Sequence, residues 1–298
     1  MNFDLGEVLT QTWQVSWKNK RLWWLGGVLS ILVIAIFPVA FLPMVFPLLA
    51  ENGRMDLFPV LLIGFVVLLT IFFIILYFVS ALTQTAITLG ILRAEEKQAL
   101  SLRDLLQNSR PFFWRVTGLM FLYAAVVTAI MLIMQAIMVA LIIGTLGLGA
   151  MCITPLSLLM YPFMFAAVVW MELAMNSIII DGMTVKDSIR SGWQLIRKNL
   201  LAIVLVMVVV YFGVGLVSTI VVMPMMTPFF VAPLALFEGE PNWTILSLSL
   251  LCSLAFVPPY AVITGWAMTF TKSAWVFTYL RLTRSPGASQ PALQEVPA

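Results

Sequence analysis

Six apolar tracts, residues 22–50, 57–92, 112–143, 151–180, 200–237 and 243–282, occupy most of this chain and decide the solvent it folds in. A helix needs about 20 apolar residues to cross the hydrocarbon of a bilayer, and every tract exceeds that. Inside lipid the backbone must satisfy its own hydrogen bonds, which a helix does within one segment. The tracts therefore predict an all-α integral membrane protein with six transmembrane helices. A soluble reading fails on composition, because 62% hydrophobic and 10% charged residues cannot cover a water-exposed body of 298 residues. The surplus length predicts spans that tilt, break or run on past the hydrocarbon. Prolines mark two expected kinks: Pro43 and Pro47 are mirrored by Pro224 and Pro228, each pair preceding an acidic turn, around Glu51-Asn52-Gly53 and Glu238-Gly239-Glu240.

A short pattern occurs three times, at Phe3-Asp4-Leu5-Gly6-Glu7, Leu100-Ser101-Leu102-Arg103-Asp104 and Met183-Thr184-Val185-Lys186-Asp187. In each, an oxygen-bearing residue (Asp4, Ser101, Thr184) is followed three positions later by a carboxylate (Glu7, Asp104, Asp187). That is the spacing of a capping box, in which cap and acid satisfy each other's orphan backbone N–H groups. Each copy precedes two apolar tracts, so the chain divides into three repeats, about 1–99, 100–182 and 183–282, within a single membrane domain 1–282. Residues 283–298, rich in Pro, Ser, Gly and Gln, are expected to form a disordered cytoplasmic tail. Residues 4–20, 101–115 and 184–199 carry apolar positions at helical spacing and read as interfacial amphipathic helices, with Trp13, Trp17, Trp114 and Trp193 as anchors at headgroup level. Two crossings per repeat keep all three in one orientation, which predicts parallel repeats about a pseudo-threefold axis along the membrane normal.

Of the 16 lysines and arginines, only Arg54 falls on the far side of a six-span topology. Basic residues stay cytoplasmic, so both termini and the loops around 93–111 and 181–199 are expected inside a cell (cytoplasmic) membrane. Asp4 and Glu7 stand where a cleavable signal would be basic, so none is expected. The net charge of +3 is then a topology feature that calls for no nucleic-acid partner. The expected partners are anionic lipid headgroups at the cytoplasmic face and a membrane or cytoplasmic protein.

Polar residues inside the even-numbered spans are the candidate site. Gln84, Asn176 and Lys272 fall at similar places in the three repeats, and Glu172 lies four residues before Asn176, on the same helix face. A carboxylate and an ammonium in lipid are costly unless paired, so Glu172 and Lys272 form the natural ion pair, in a candidate polar cavity. The competing reading is interhelical hydrogen bonding with Lys272 snorkelling to the inner boundary, on which Glu172→Leu leaves a folded protein.

Catalytic motifs are missing from the sequence. With no histidine, His-based acid–base chemistry, His-dependent triads and His metal sites are excluded. No Walker-type phosphate loop occurs, and Gly144-Thr145-Leu146-Gly147-Leu148-Gly149 reads as an outer turn. Cys152 and Cys252 lack metal-ligand spacing and read as small buried thiols. Asn242-Trp243-Thr244 matches a glycosylation acceptor but abuts the membrane. No metal and no cofactor is expected.

The Trp-Gln-x-x-x-Lys-Asn segments at 13–19 and 193–199, the Gly-Met-Thr-Val-Lys-Asp-Ser-Ile entry at 182–189 and the six-span layout resemble a broad group of uncharacterised bacterial and archaeal membrane proteins related to the membrane domain of certain glycerophosphodiester phosphodiesterases. The resemblance covers the chain to about residue 282 and implies a membrane module without the soluble hydrolase domain. It carries over no functional residue. The expected role is a non-enzymatic scaffold or accessory membrane module. The alternative is a carrier or channel for a lipid-like or small amphiphilic solute, through a polar cavity near Glu172 and Lys272.

Overall fold

The computed structural model describes residues 4–34, 58–98, 101–145, 150–225 and 243–283, and among them every regular element is an α-helix. In order they are α1 (Leu5–Lys18), α2 (Lys20–Ile34), α3 (Phe58–Glu95), α4 (Leu102–Gly144), α5 (Ala150–Asp181), α6 (Val185–Lys198), α7 (Leu200–Met225) and α8 (Trp243–Thr283). Five of them, α3, α4, α5, α7 and α8, are long and apolar enough to cross a membrane. The first apolar tract beyond Ile34 lies outside the described residues, as do Pro43, Pro47, Pro228, Arg54, both acidic turns, most of the glycine-rich turn and residues 284–298. Pro224 falls in the last turn of α7.

In α3, α4 and α8 the surplus apolar length is taken up by unbroken helix. α3, α4 and α8 run for 38, 43 and 41 residues, against the roughly 20 that hydrocarbon demands. Pro111 sits inside α4, and Pro258 and Pro259 inside α8, without ending either helix. Where the extra turns go is shown by burial. α3 is exposed or half-buried from Val60 to Val79 and becomes buried from Ala81 onward; burial begins at Val169 in α5 and at Ala261 in α8. In α4 and α7, which run the other way, it ends at Leu119 and Val210. The helices thus share a core at one end and present apolar side chains at the other, which is stable only in lipid.

At the packed end α3, α5 and α8 touch one another. α2 lies between α8 and α3, and α4 between α3 and α5. α7 packs on α8 and shares with α5 a cluster of Ile203, Val206 and Val210 against Val169 and Leu173. α1 rests on α8, the start of α4 on α3, and α6 on α5. The closest approach is between α2 and α8. A Cβ on Gly26 would stand 3.0 Å from the Gly265 Cα, and one on Gly27 2.9 Å from the Ala261 carbonyl oxygen. Small residues let the two backbones meet at van der Waals distance, which is how helices associate where lipid removes the hydrophobic drive.

The three helix starts differ. Asp4 caps α1 by accepting the Glu7 N–H at 3.2 Å, while the Glu7 carboxylate pairs with Arg281 of α8 instead of turning back to the cap. Thr184 caps α6 by accepting the Asp187 N–H at 3.3 Å, and its hydroxyl donates to the Asp187 carboxylate at 2.6 Å. Ser101 has an extended cap conformation, but its side chain makes no capping hydrogen bond, so with Asp104 it forms no capping box. Thr184→Ala should therefore cost about 1 kcal/mol and Ser101→Ala close to nothing, as read from thermal denaturation of the two variants.

The second capped segment is also no separate helix. α1 ends at Asn19, whose side-chain amide donates to the Val15 carbonyl at 2.9 Å, and α6 ends at Asn199, which does the same to Leu195 at 3.3 Å. With the three caps superposed, the matching residue is Val116. Valine has no such group with which to compete for the backbone, and α4 runs straight through. Residues 101–115 are thus the cap and first turns of a long helix, with Trp114 exposed on them, as Trp13 and Trp17 are on α1 and Trp193 on α6.

Candidate functional site

The packed halves of α3, α5 and α8 carry many buried hydroxyls, and most are satisfied within their own helix. Thr85, Thr88, Ser177, Thr269 and Ser273 each donate to a carbonyl three or four residues back. Glu172 and Lys272 carry charges that such a bond cannot neutralise, and among the described residues the Gln84 amide turns to other side chains while the Asn176 amide makes no hydrogen bond.

Three of the four meet. The Lys272 ammonium on α8 donates to both carboxylate oxygens of Glu172 on α5 at 2.7 Å and to Oε1 of Gln84 on α3 at 2.8 Å. The Met175 sulfur lies 4.0 Å away. Gln84 in turn donates to the Ser80 hydroxyl at 2.9 Å, which fixes its amide with the oxygen towards Lys272. The pair is shut from the surface, with 4% of the Lys272 side chain and 7% of that of Glu172 accessible. Lys272 therefore does not snorkel; its stem stays in the core because its charge is neutralised there. A cavity opening on the pair would leave these side chains accessible.

Chemically this is a closed tie. An ammonium has three donors, and all three are taken up by Glu172 and Gln84. Neither a free base nor a free nucleophile is left at the junction. Asn176, one turn on from Glu172, is fully buried, and neither atom of its amide has a hydrogen-bond partner. It is near the tie in sequence and outside it in bonding.

Two groups at this junction escape sequence reasoning. The Tyr279 hydroxyl on α8 donates to the Asp181 carboxylate at the end of α5, and Tyr279 and Trp275 are fully buried. Tyr279 lies seven residues, two helical turns, beyond Lys272 and so on the same face; that spacing could have pointed to it. Next to Asp181, Gly182 takes φ +66, the left-handed conformation that closes a helix, and Arg115 of α4 donates to its carbonyl at 3.0 Å. These contacts join α4, α5 and α8 beyond the ion pair.

Cys252 differs from expectation, being exposed on the apolar outer part of α8. It lies beyond the core, where a small apolar thiol can face lipid. The side chain of Cys152 is outside the described residues. Among the described residues no group of three or more His, Cys, Asp or Glu side chains could hold a metal ion.

Compared with known proteins, residues 81–272 match the model of a family described as Domain of unknown function (DUF7847). That span contains Gln84, Glu172, Asn176 and Lys272. Neither a curated protein nor a solved structure matches the chain.

Proposed function

We propose, from the premise that the chain belongs to the DUF7847 family, that it is a non-enzymatic multi-pass membrane scaffold or accessory module. The observation that carries this is the Lys272 ammonium spent wholly on Glu172 and Gln84, from three different helices, in a position closed to solvent. Such a tie joins helices and has no free group with which to do chemistry or pass a solute. We read the first apolar tract, which α2 begins, as a sixth crossing, and the chain as three parallel two-span repeats in one domain, 1–282. The contacts of α1 on α8, α4 on α3 and α6 on α5 support that order. On this reading both termini and the helix starts face the cytoplasm, in the cell membrane, where basic residues on α1 and α6 meet anionic headgroups and leave a surface for a protein partner.

The alternative, a carrier or channel, is favoured by one observation: Asn176, buried without partners beside the ion pair. An unsatisfied buried amide is the kind of group a passing solute would use. Proteoliposomes holding the purified protein and a fluorescently tagged short-chain phospholipid, bleached from outside by dithionite, separate the scaffold from a carrier or channel for a lipid-like or small amphiphilic solute. The scaffold should give no flux above empty vesicles. Flux that disappears in Asn176→Leu would replace the scaffold by a pathway.

A further inference from the structure

The three helix starts each carry a strip of four residues on the exposed face. On α6 it is Lys186, Arg190, Trp193 and Arg197, spaced four, three and four residues apart, so that all four line one side of the helix, and all are exposed. With the caps superposed, the same places hold Arg103, Gln107, Arg110 and Trp114 at the start of α4, and Gly6, Thr10, Trp13 and Trp17 on α1. These are exposed as well. Every strip keeps at least one indole, but the cations differ: three on α6, two on α4 and none on α1.

The strips lie where the crossing helices begin. Trp193 sets its ring edge-on to Trp170 of the crossing helix α5, with centroids 6.2 Å apart, and the Trp170 indole donates to the Ile189 carbonyl at 2.9 Å, which fixes α6 on α5. Arg197 stands three residues before Leu200, where the exposed apolar surface of α7 starts, and Trp114 precedes exposed Phe121 and Leu122 on α4. Indoles favour headgroup level, and cations one turn to either side of them reach the phosphates there.

The strip cations are not neutralised from within. Lys186, Arg190, Arg197, Arg103 and Arg110 make no ion pair with another described residue, and the acid beside the α6 strip, Asp187, is held by its cap Thr184. The α1 side is the reverse, since its strip has no cation and the neighbouring Arg281 pairs with Glu7. The two basic strips adjoin: α4 touches α6, and Arg115 of α4 donates to the Gly182 carbonyl just ahead of the α6 cap. Unpaired positive charge is thus gathered on one sector of the bundle.

We infer that the sector formed by α6 and the start of α4 selects anionic phospholipids, with Arg190 and Arg197 on either side of Trp193 taking the headgroup phosphate, while the α1 side accepts phospholipids without regard to charge. An anionic headgroup brings negative charge to the depth that the indole marks, and each cation there adds to the attraction. This deepens the proposal that basic residues of the helix starts meet anionic headgroups, and rests on it; what it adds is which helices do the selecting.

The test is to titrate the delipidated protein with phosphatidylglycerol and, separately, phosphatidylcholine, reading bound lipid by native mass spectrometry. The wild type should retain phosphatidylglycerol in preference. Arg190→Gln with Arg197→Gln, both exposed, should lower that retention about tenfold or more and leave phosphatidylcholine unchanged. Lys18→Gln with Lys20→Gln, exposed cations off the α1 strip, should lower it less than about twofold. Thr10→Arg, which places on α1 the cation that α6 has at Arg190, should raise it about fivefold without removing any group from the α6 side. Equal losses in the two double variants would overturn the sector and leave headgroup contact in place. A wild type that retains both lipids equally would overturn the headgroup reading and the sector with it. Unchanged retention in the Arg190 and Arg197 variant, or in Thr10→Arg, would show that the strip is not where lipid is selected and overturn the inference.

Discussion

Replacing Lys272 by methionine should destabilise the folded protein by about 3–5 kcal/mol, the usual cost of leaving one member of a buried ion pair alone. Glu172 would keep its near-complete burial and lose the two hydrogen bonds that satisfy its oxygens. Glu172→Leu should cost a similar amount, because it leaves the ammonium with the Gln84 oxygen as its one remaining acceptor among these partners. The double variant should recover most of either loss, since an apolar pair of similar volume needs neither charge nor partner. Thermal denaturation of the wild type, both single variants and the double reads this as a double-mutant cycle. Single losses that simply add would mean that the two side chains share no energy and that Lys272 reaches water after all.

Gly265→Leu should also be strongly damaging, through backbone overlap where α2 meets α8. Even a Cβ at 265 would overlap the Trp23 carbonyl of α2 and stand 2.9 Å from the Gly27 nitrogen. Both are backbone atoms, so no rotamer change makes room, and α2 must separate from α8. Overpacking of this kind costs about 3 kcal/mol, and here it also opens the contact that holds α2 on α8. Folded yield should fall sharply in fluorescence-detected size-exclusion chromatography. Gly64→Leu, where a Cβ meets nothing within 4 Å, should match the wild type. Matching profiles for Gly265→Leu and Gly64→Leu would show that α2 and α8 do not cross at these glycines.

Helix class and membrane character are legible in the sequence because they follow from long-range averages of hydropathy, which survive any local irregularity. The meeting of Glu172 with Lys272 was legible for a sharper reason: in lipid each charge demands an opposite one, and the chain offers few candidates. Gln84 joined them as its position in the span suggested. Asn176 did not, although its spacing from Glu172 placed it on the same face; a shared face does not fix whether an amide reaches a partner, and here it reaches none. The helix starts show a second limit. The patterns at Ser101 and Thr184 are alike, a hydroxyl followed three residues later by Asp, yet one cap forms and the other does not. The continuity of α4 turned on a single position, Val116 where the other two copies have asparagine, which is visible only after the three copies are superposed.

The contact of α1 with α8 has a consequence for the order of events during synthesis. Ser16 meets Ser273 at 3.5 Å and Arg281 reaches the Asp4 carbonyl at 3.4 Å, so α1 docks on a helix that lies 257 to 277 residues further along the chain at these contacts. Until α8 arrives, Val8, Thr12 and Ser16 of α1 have no α8 surface to bury against. Contacts of such sequence separation are the slow ones in folding. The face of α1 that meets α8 is therefore closed only after α8 has been made.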